Sequence, residues 1–274
     1  MSSIRQRKIN PILKKTLFVL LGFYIMIGTS LYYFQEKLLF LPTVLTQDYQ
    51  YRFNYPFEEL FLKTDEQAII NALHFKVENP KGVIIYFHGN AGDLSRWGTI
   101  TEYFVEKNYD VLVMDYRTYG KSTGKLSEES LYKDAQFCYD YLKVRYDESE
   151  ITIYGRSLGT GIATYVASKN HPKQLLLETP YYSLVQVAQK RYPIFPVKQL
   201  MTYEMPTYKF IKDVQCPITL FHGTSDKVIP IASAEDLYRS VSDKTIKFKV
   251  IEGGTHNNLN TFEAYHQLMD AVLN

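Results

Sequence analysis

Short apolar or alternating runs recur along the chain after residue 59, at Leu60–Lys63, Ile69–Val77, Val83–His88, Asp110–Asp115, Ile151–Tyr154, Gln174–Glu178, Ile218–His222 and Ile246–Ile251. Their length and β-branched content predict strands. Between most of them lie stretches of helical period: Thr99–Lys107, Glu128–Arg145, Gly161–Lys169, Ala232–Ser240 and a final Thr261–Leu273. Alternation of this kind predicts an α/β fold, a mostly parallel sheet with helices on both faces. In such sheets ligands gather at the carboxyl ends of the strands, so chemistry is to be sought just after each apolar run.

One segment breaks the pattern. Thr16–Phe34 runs for 19 residues without a charge, roughly the length needed to cross the hydrocarbon of a bilayer. Basic residues precede it (Arg5, Arg7, Lys8, Lys14, Lys15), and Tyr32, Tyr33 and Phe34 stand where an interfacial aromatic belt belongs. A cleaved signal peptide would use Gly28 and Ser30 as small residues before the cut. Apolar character continues through Leu38-Leu39-Phe40, however, which favours an uncleaved anchor. The expected organisation is a basic cytoplasmic start (1–15), a transmembrane anchor (16–34), a connector (35–59) and a domain from 60 to 274 on the opposite side of the membrane. Within that domain Tyr181–Val214, rich in aromatic and apolar residues, reads as a small cap between the sixth and seventh strands (about 181–214).

Composition narrows the functional classes. With 46% hydrophobic residues a sizeable core is available, and a net charge of +2, much of it from the N-terminus, gives no support for nucleic-acid binding. The 24 tyrosines are scattered and read as half-buried packing. The two cysteines, Cys138 and Cys216, lie in no metal-binding or redox spacing and read as small hydrophobes. Gly120-Lys121-Ser122 lacks the earlier glycine of a phosphate loop, and the glycines around Ser157 miss dinucleotide spacing. No metal or organic cofactor is called for.

Tyr154-Gly155-Arg156-Ser157-Leu158-Gly159 carries Gly-x-Ser-x-Gly between a predicted strand and a predicted helix, which sets the Ser157 hydroxyl on a strained, exposed turn. A serine needs a base, a carboxylate to orient it, and donors for the oxyanion that forms. Among the six histidines, His256 follows the last strand in Gly253-Gly254-Thr255-His256. His88 and His222 precede glycines and are expected to shape their loops; His74, His171 and His266 read as structural. Asp226, beyond the strand ending at His222, is the expected acid. Its competitor Glu178 is expected to bond the loop after its own strand. The backbone N–H groups of Asn90, in His88-Gly-Asn-Ala-Gly92, and of Leu158 are the expected oxyanion hole.

In these motifs the chain resembles the α/β-hydrolase superfamily and, within it, the α/β-hydrolase-domain proteins carried behind one N-terminal membrane segment. Asp115-Tyr-Arg117, Tyr119-Gly120-Lys121-Ser122 and His222-Gly223 add to the match, while Thr118 departs from the glycine usual there. The resemblance covers about Leu60 to the C-terminus and implies an eight-stranded, mostly parallel sheet with a catalytic triad in the order Ser157, Asp226, His256. The expected activity is a serine hydrolase cleaving esters or thioesters of small-molecule or acylated substrates through an acyl-enzyme. Some related anchored hydrolases remove acyl chains from proteins. A peptidase of the same fold, or a non-catalytic binding protein, are the alternatives.

Overall fold

All eight runs become strands of one sheet in the computed structural model, which describes residues 10–241 and 246–273. They are β1 (Phe57–Lys63), β2 (Ile69–Phe75), β3 (Val83–Phe87), β4 (Asp110–Met114), β5 (Ile151–Arg156), β6 (Gln174–Glu178), β7 (Ile218–Gly223) and β8 (Ile246–Ile251). Their order across the sheet is β8-β7-β6-β5-β3-β4-β2-β1. Only the pairings of β2 with β1 and β4 are antiparallel; the other five are parallel. This is the α/β-hydrolase sheet that the resemblance implies.

Side chains alternate between two cores, as a period of two demands. Val83, Ile85 and Phe87 of β3 face the cluster that also holds Leu131 and Tyr139 of α3 (Glu128–Lys143) and Ile162 and Val166 of α4 (Gly159–Lys169). Ile84 and Tyr86 face the opposite cluster, with Trp97 and Phe104 of α2 (Leu94–Glu106) and Tyr265 and Met269 of α9 (Glu263–Leu273). Strands covered on both faces have no polar side, which is why β3 and β4 read as unbroken apolar runs. Several tyrosines expected at the boundary are instead fully buried, among them Tyr86, Tyr116, Tyr154 and Tyr181. Cys138 is buried and Cys216 half-buried, and neither is in a disulfide.

Element ends depart from the sequence pattern for local reasons. α2 starts at Leu94, five residues before the periodic stretch, because the Asp93 side chain accepts the Ser95 N–H as a cap. Gly98, a poor helix former, hides that first turn; a Cβ there would strike the Phe53 ring. β1 begins at Phe57 rather than Leu60, paired with Phe75 of β2.

At the N-terminal end, α1 (Pro11–Leu39) is long and apolar enough to cross a membrane. It extends past both ends of the uncharged stretch, so residues 35–39, expected in the connector, are helical. Of the expected basic start, residues 1–9, including Arg5, Arg7 and Lys8, lie outside the described residues. Beyond α1, Leu41–Pro42 pairs in parallel with Ala91–Gly92. Between β6 and β7 the 181–214 segment folds as α5 (Leu184–Arg191), α6 (Val197–Leu200) and α7 (Thr207–Phe210), and it leans on α1. The remaining helix, α8 (Ile231–Arg239), follows β7.

Candidate active site

The turn from β5 into α4 holds Ser157 at φ 52°, in the left-handed region. That strain is sustained by neighbours. The Ser157 N–H donates to Glu178 O at 2.9 Å, and the Ser157 carbonyl accepts from the N–H (2.9 Å) and hydroxyl (2.6 Å) of Thr160. Both flanking glycines are dictated by close approach. A Cβ at Gly155 would lie 2.6 Å from the Ala163 Cβ, and one at Gly159 would overlap the Phe87 carbonyl.

Asp226 and His256 arrive from the loops after β7 and β8. Those loops touch closely enough that a Cβ on Gly223 would overlap the Gly254 carbonyl. Ser225 N–H donates to Gly254 O at 2.9 Å, locking one loop to the other. His256 then stands with Nε2 2.9 Å from Ser157 Oγ and Nδ1 2.7 Å from Asp226 Oδ2. A carboxylate only accepts, so Nδ1 carries the proton and Nε2 is free to accept from the serine. The other oxygen, Asp226 Oδ1, accepts from the N–H groups of Val228 (2.8 Å) and Ile229 (2.9 Å).

Burial pushes the Asp226 carboxyl up, but hydrogen bonds from His222 and His256, the imidazole charge and the Ile229 N–H outweigh it and hold the group well below the usual carboxylate range. His222 was expected only to shape its loop. Its Nε2 donates to Ile229 O at 2.9 Å and sits 3.4 Å from Asp226 Oδ2, so it steadies the acid as well. Sequence spacing gave a hint, since the two residues are four apart at a strand end.

Glu178 is a correction. Its side chain does not bond the following loop; it accepts from Tyr154 OH at 2.6 Å and pairs with Arg156 Nε at 3.3 Å, both on the neighbouring β5. Register explains this, since Arg156 and Glu178 are direct partners across the strands. His74 is buried and its pKa falls to about 3 through desolvation. His266 bonds Tyr103 at 3.2 Å and His171 is exposed, so neither reaches Ser157. Lys121 and Ser122 serve structure too: Lys121 pairs with Glu59 at 2.9 Å, and Ser122 donates to Asp115 O.

The loop 88–92 has each of its five carbonyls bound from behind. His88 O accepts from Tyr116 OH (2.7 Å), Gly89 O from His88 Nδ1 (2.6 Å), and Ala91 O from Trp97 Nε1 (2.8 Å). Asn90 O accepts from Tyr119 OH (2.7 Å) and Leu41 N–H (2.9 Å), and Gly92 O from Thr43 N–H (3.0 Å). His88 Nδ1 therefore holds its proton.

Asn90, Ser157 and Leu158 line one cavity of about 350 Å³, together with Leu38, Leu39 and Leu41, cap residues including Leu184 and Val187, and Arg191. That volume suits a small ligand. A larger cavity of about 720 Å³ opens along α5, but none of Ser157, Asp226 and His256 lines it. Among the described residues no group of His, Cys, Asp or Glu is placed to hold a metal ion.

A family model described as Hydrolase_4, serine aminopeptidase S33, matches residues 78–203 and 187–263. The chain is 31% identical over 192 residues to lysophosphatidylserine lipase ABHD12 of Xenopus tropicalis, covering 61% of this chain and 50% of that protein. It is 25% identical over 261 residues to protein bem46 of Schizosaccharomyces pombe, covering 89% and 87%. In fold it is similar to an esterase of Pyrococcus furiosus, with a TM-score of 0.67 at 15% identity over 86% of this chain and 97% of that one.

Proposed function

The chain belongs to the Hydrolase_4 family of α/β-hydrolases, and from that premise we propose that it is a serine hydrolase cleaving carboxylic esters or thioesters of hydrophobic acyl substrates. The observation that carries this reading is the hydrogen-bonded line from Ser157 through His256 to Asp226, at 2.9 and 2.7 Å.

Ser157 Oγ attacks the acyl carbonyl while His256 Nε2 takes its proton, and the ionised Asp226 stabilises the imidazolium. The N–H groups of Asn90 and Leu158 receive the oxyanion, each worth roughly 3 kcal/mol in such sites. His256 then returns the proton to the leaving oxygen or sulfur. Water activated by the same imidazole frees the acid and regenerates Ser157.

The lining of the cavity supports an acyl group over a peptide N-terminus. It contains leucines, valines and tyrosines with Arg191 as its one charged residue, and no carboxylate to receive an ammonium group. In the same reading α1 anchors the protein with its N-terminus in the cytoplasm, since Lys14, Lys15 and the basic residues before them precede the apolar run. The catalytic domain then lies on the far side.

A fluorophosphonate probe tests the reading. Labelling of the wild type and none of Ser157→Ala is expected, followed by turnover of p-nitrophenyl esters or an acyl thioester but not of an aminoacyl amide. A folded wild type that resists the probe would favour a binding protein; preferential amide cleavage would favour a peptidase.

A further inference from the structure

The cap does not touch α1 only where the helix ends. Tyr24 OH donates to Ile194 O at 2.9 Å, the Tyr24 and Phe195 rings stack at 4.9 Å, and Phe195 lies 3.7 Å from where a Cβ on Gly28 would sit. Tyr24 is ten residues before Phe34, the end of the uncharged stretch, about 15 Å along the helix axis. If α1 crosses a bilayer whose hydrocarbon is about 30 Å thick, a cap residue seated on Tyr24 lies inside it.

The tip of the cap is built for that setting. In Lys190-Arg191-Tyr192-Pro193-Ile194-Phe195-Pro196-Val197-Lys198, an apolar hexapeptide is bracketed by cations suited to reach headgroups. Ile194 is 71% exposed and carries nothing polar on its side chain. Backbone groups in hydrocarbon must find partners within the protein. Pro193 and Pro196 have no N–H to satisfy, every carbonyl from Tyr192 to Pro196 has a donor, and among the N–H groups of Tyr192–Val197 that of Ile194 alone lacks an acceptor among the described residues. Phe195 N–H serves Tyr192 O, Gln189 Nε2 serves Pro193 O and Phe195 O, Tyr24 OH serves Ile194 O, and Gln199 N–H serves Pro196 O.

The space between this tip and α1 borders the cavity at the serine. A small cavity of about 70 Å³ lies between Leu31 and Leu38 on α1 and Tyr192, Val197 and Leu200 on the cap. It shares Leu38, Leu39, Ala188 and Tyr192 with the cavity at Ser157.

We propose that the cap tip Tyr192–Lys198 inserts into the bilayer beside α1, and that the groove between them admits the acyl chain of a membrane-resident ester to Ser157. The tip's insertion stands by itself; delivery of the chain rests on the hydrolase reading.

The test uses the full chain in phosphatidylcholine vesicles whose acyl chains carry bromine, a contact quencher. Wild-type emission comes from Trp97, the single tryptophan, buried beside the 88–92 loop. Ile194→Trp adds a second emitter, and quenching of the added emission by half or more, with the wild type unquenched, is expected. Equal quenching of the two proteins would overturn insertion. In a second arm, Ile194→Glu is expected to cut hydrolysis of p-nitrophenyl palmitate held in vesicles about tenfold or more while leaving aqueous p-nitrophenyl acetate unchanged. Equal rates on both esters relative to wild type would overturn delivery through the groove. A wild type inactive on both esters would instead remove the hydrolase reading and with it the delivery step, while the quenching result still decides insertion.

Discussion

Thr118 occupies a position whose φ of 74° suits glycine. A β-branched residue in the left-handed region costs on the order of 1–3 kcal/mol. Its side chain is exposed, so little packing offsets the strain. Thr118→Gly relieves it and gives back about 0.5–1 kcal/mol through the freer unfolded chain. A net gain of about 1 kcal/mol is expected, read as a rise of roughly 2–4 °C in Tm with activity retained. A lower Tm would show that the turn stores no strain.

Asp226 is the residue whose charge state matters most. Its folded pKa is depressed, so ionisation favours the folded state above the unfolded carboxylate value near 4, and that contribution drains away as pH falls below it toward the folded value. Asp226→Asn is expected to remove this part of the acid destabilisation, seen as a flatter denaturant midpoint between about pH 4 and pH 2. It also turns an acceptor facing His256 Nδ1 into an amide that can present N–H. A wrong imidazole tautomer lowers kcat by about 10⁴ in triads of this kind. A loss under tenfold would argue that Asp226 does not orient the base.

At the scale of elements, the 88–92 loop shows how a glycine-containing sequence becomes a fixed turn. With its carbonyls engaged behind it, the loop is positioned by other elements rather than by its own composition. Tyr119→Phe removes one of two donors to Asn90 O and keeps the ring's volume. Loss of one buried hydrogen bond is worth about 1 kcal/mol. A fall in kcat of about five- to tenfold with little change in KM is expected from steady-state kinetics; an effect on KM alone would place Asn90 in substrate binding instead. These links mark the limit of what could be read beforehand. The strands at Val83, Asp110, Ile151 and Gln174 were legible because strands buried on both faces leave continuous apolar runs, and residues that end such runs, Ser157, Asp226 and His256, meet where the sheet's edge dictates. The pairing of Leu41–Pro42 with Ala91–Gly92 and the bond from Tyr119 OH to Asn90 O were not legible. They depend on how separate segments approach in space, and no local period records that.

For the molecule as a whole, the joint between α1 and the cap decides whether α1 is a tether or a wall of the Ser157 cavity. Gln35 is its polar centre: buried on the helix, it donates to Tyr32 O (2.8 Å) and Leu200 O (3.2 Å) and accepts from Thr202 N–H (2.8 Å) and hydroxyl (3.1 Å). Tyr203 OH adds a bond to Glu36 at 2.8 Å, and the Phe40 and Tyr203 rings meet edge to face. Gln35→Leu keeps the size and the helix propensity but leaves the Thr202 N–H and Leu200 carbonyl without that partner, a cost of about 1–3 kcal/mol. Because the bonds cross from α1 to the cap, the cost falls on their association rather than on the sheet. The expected signature is faster proteolysis between residues 193 and 202, with thermal unfolding of the sheet little changed. A tether that merely held the domain near a membrane would show neither the cleavage nor any loss of turnover, whereas a wall of the Ser157 cavity must lose long-chain ester hydrolysis as the cap swings away.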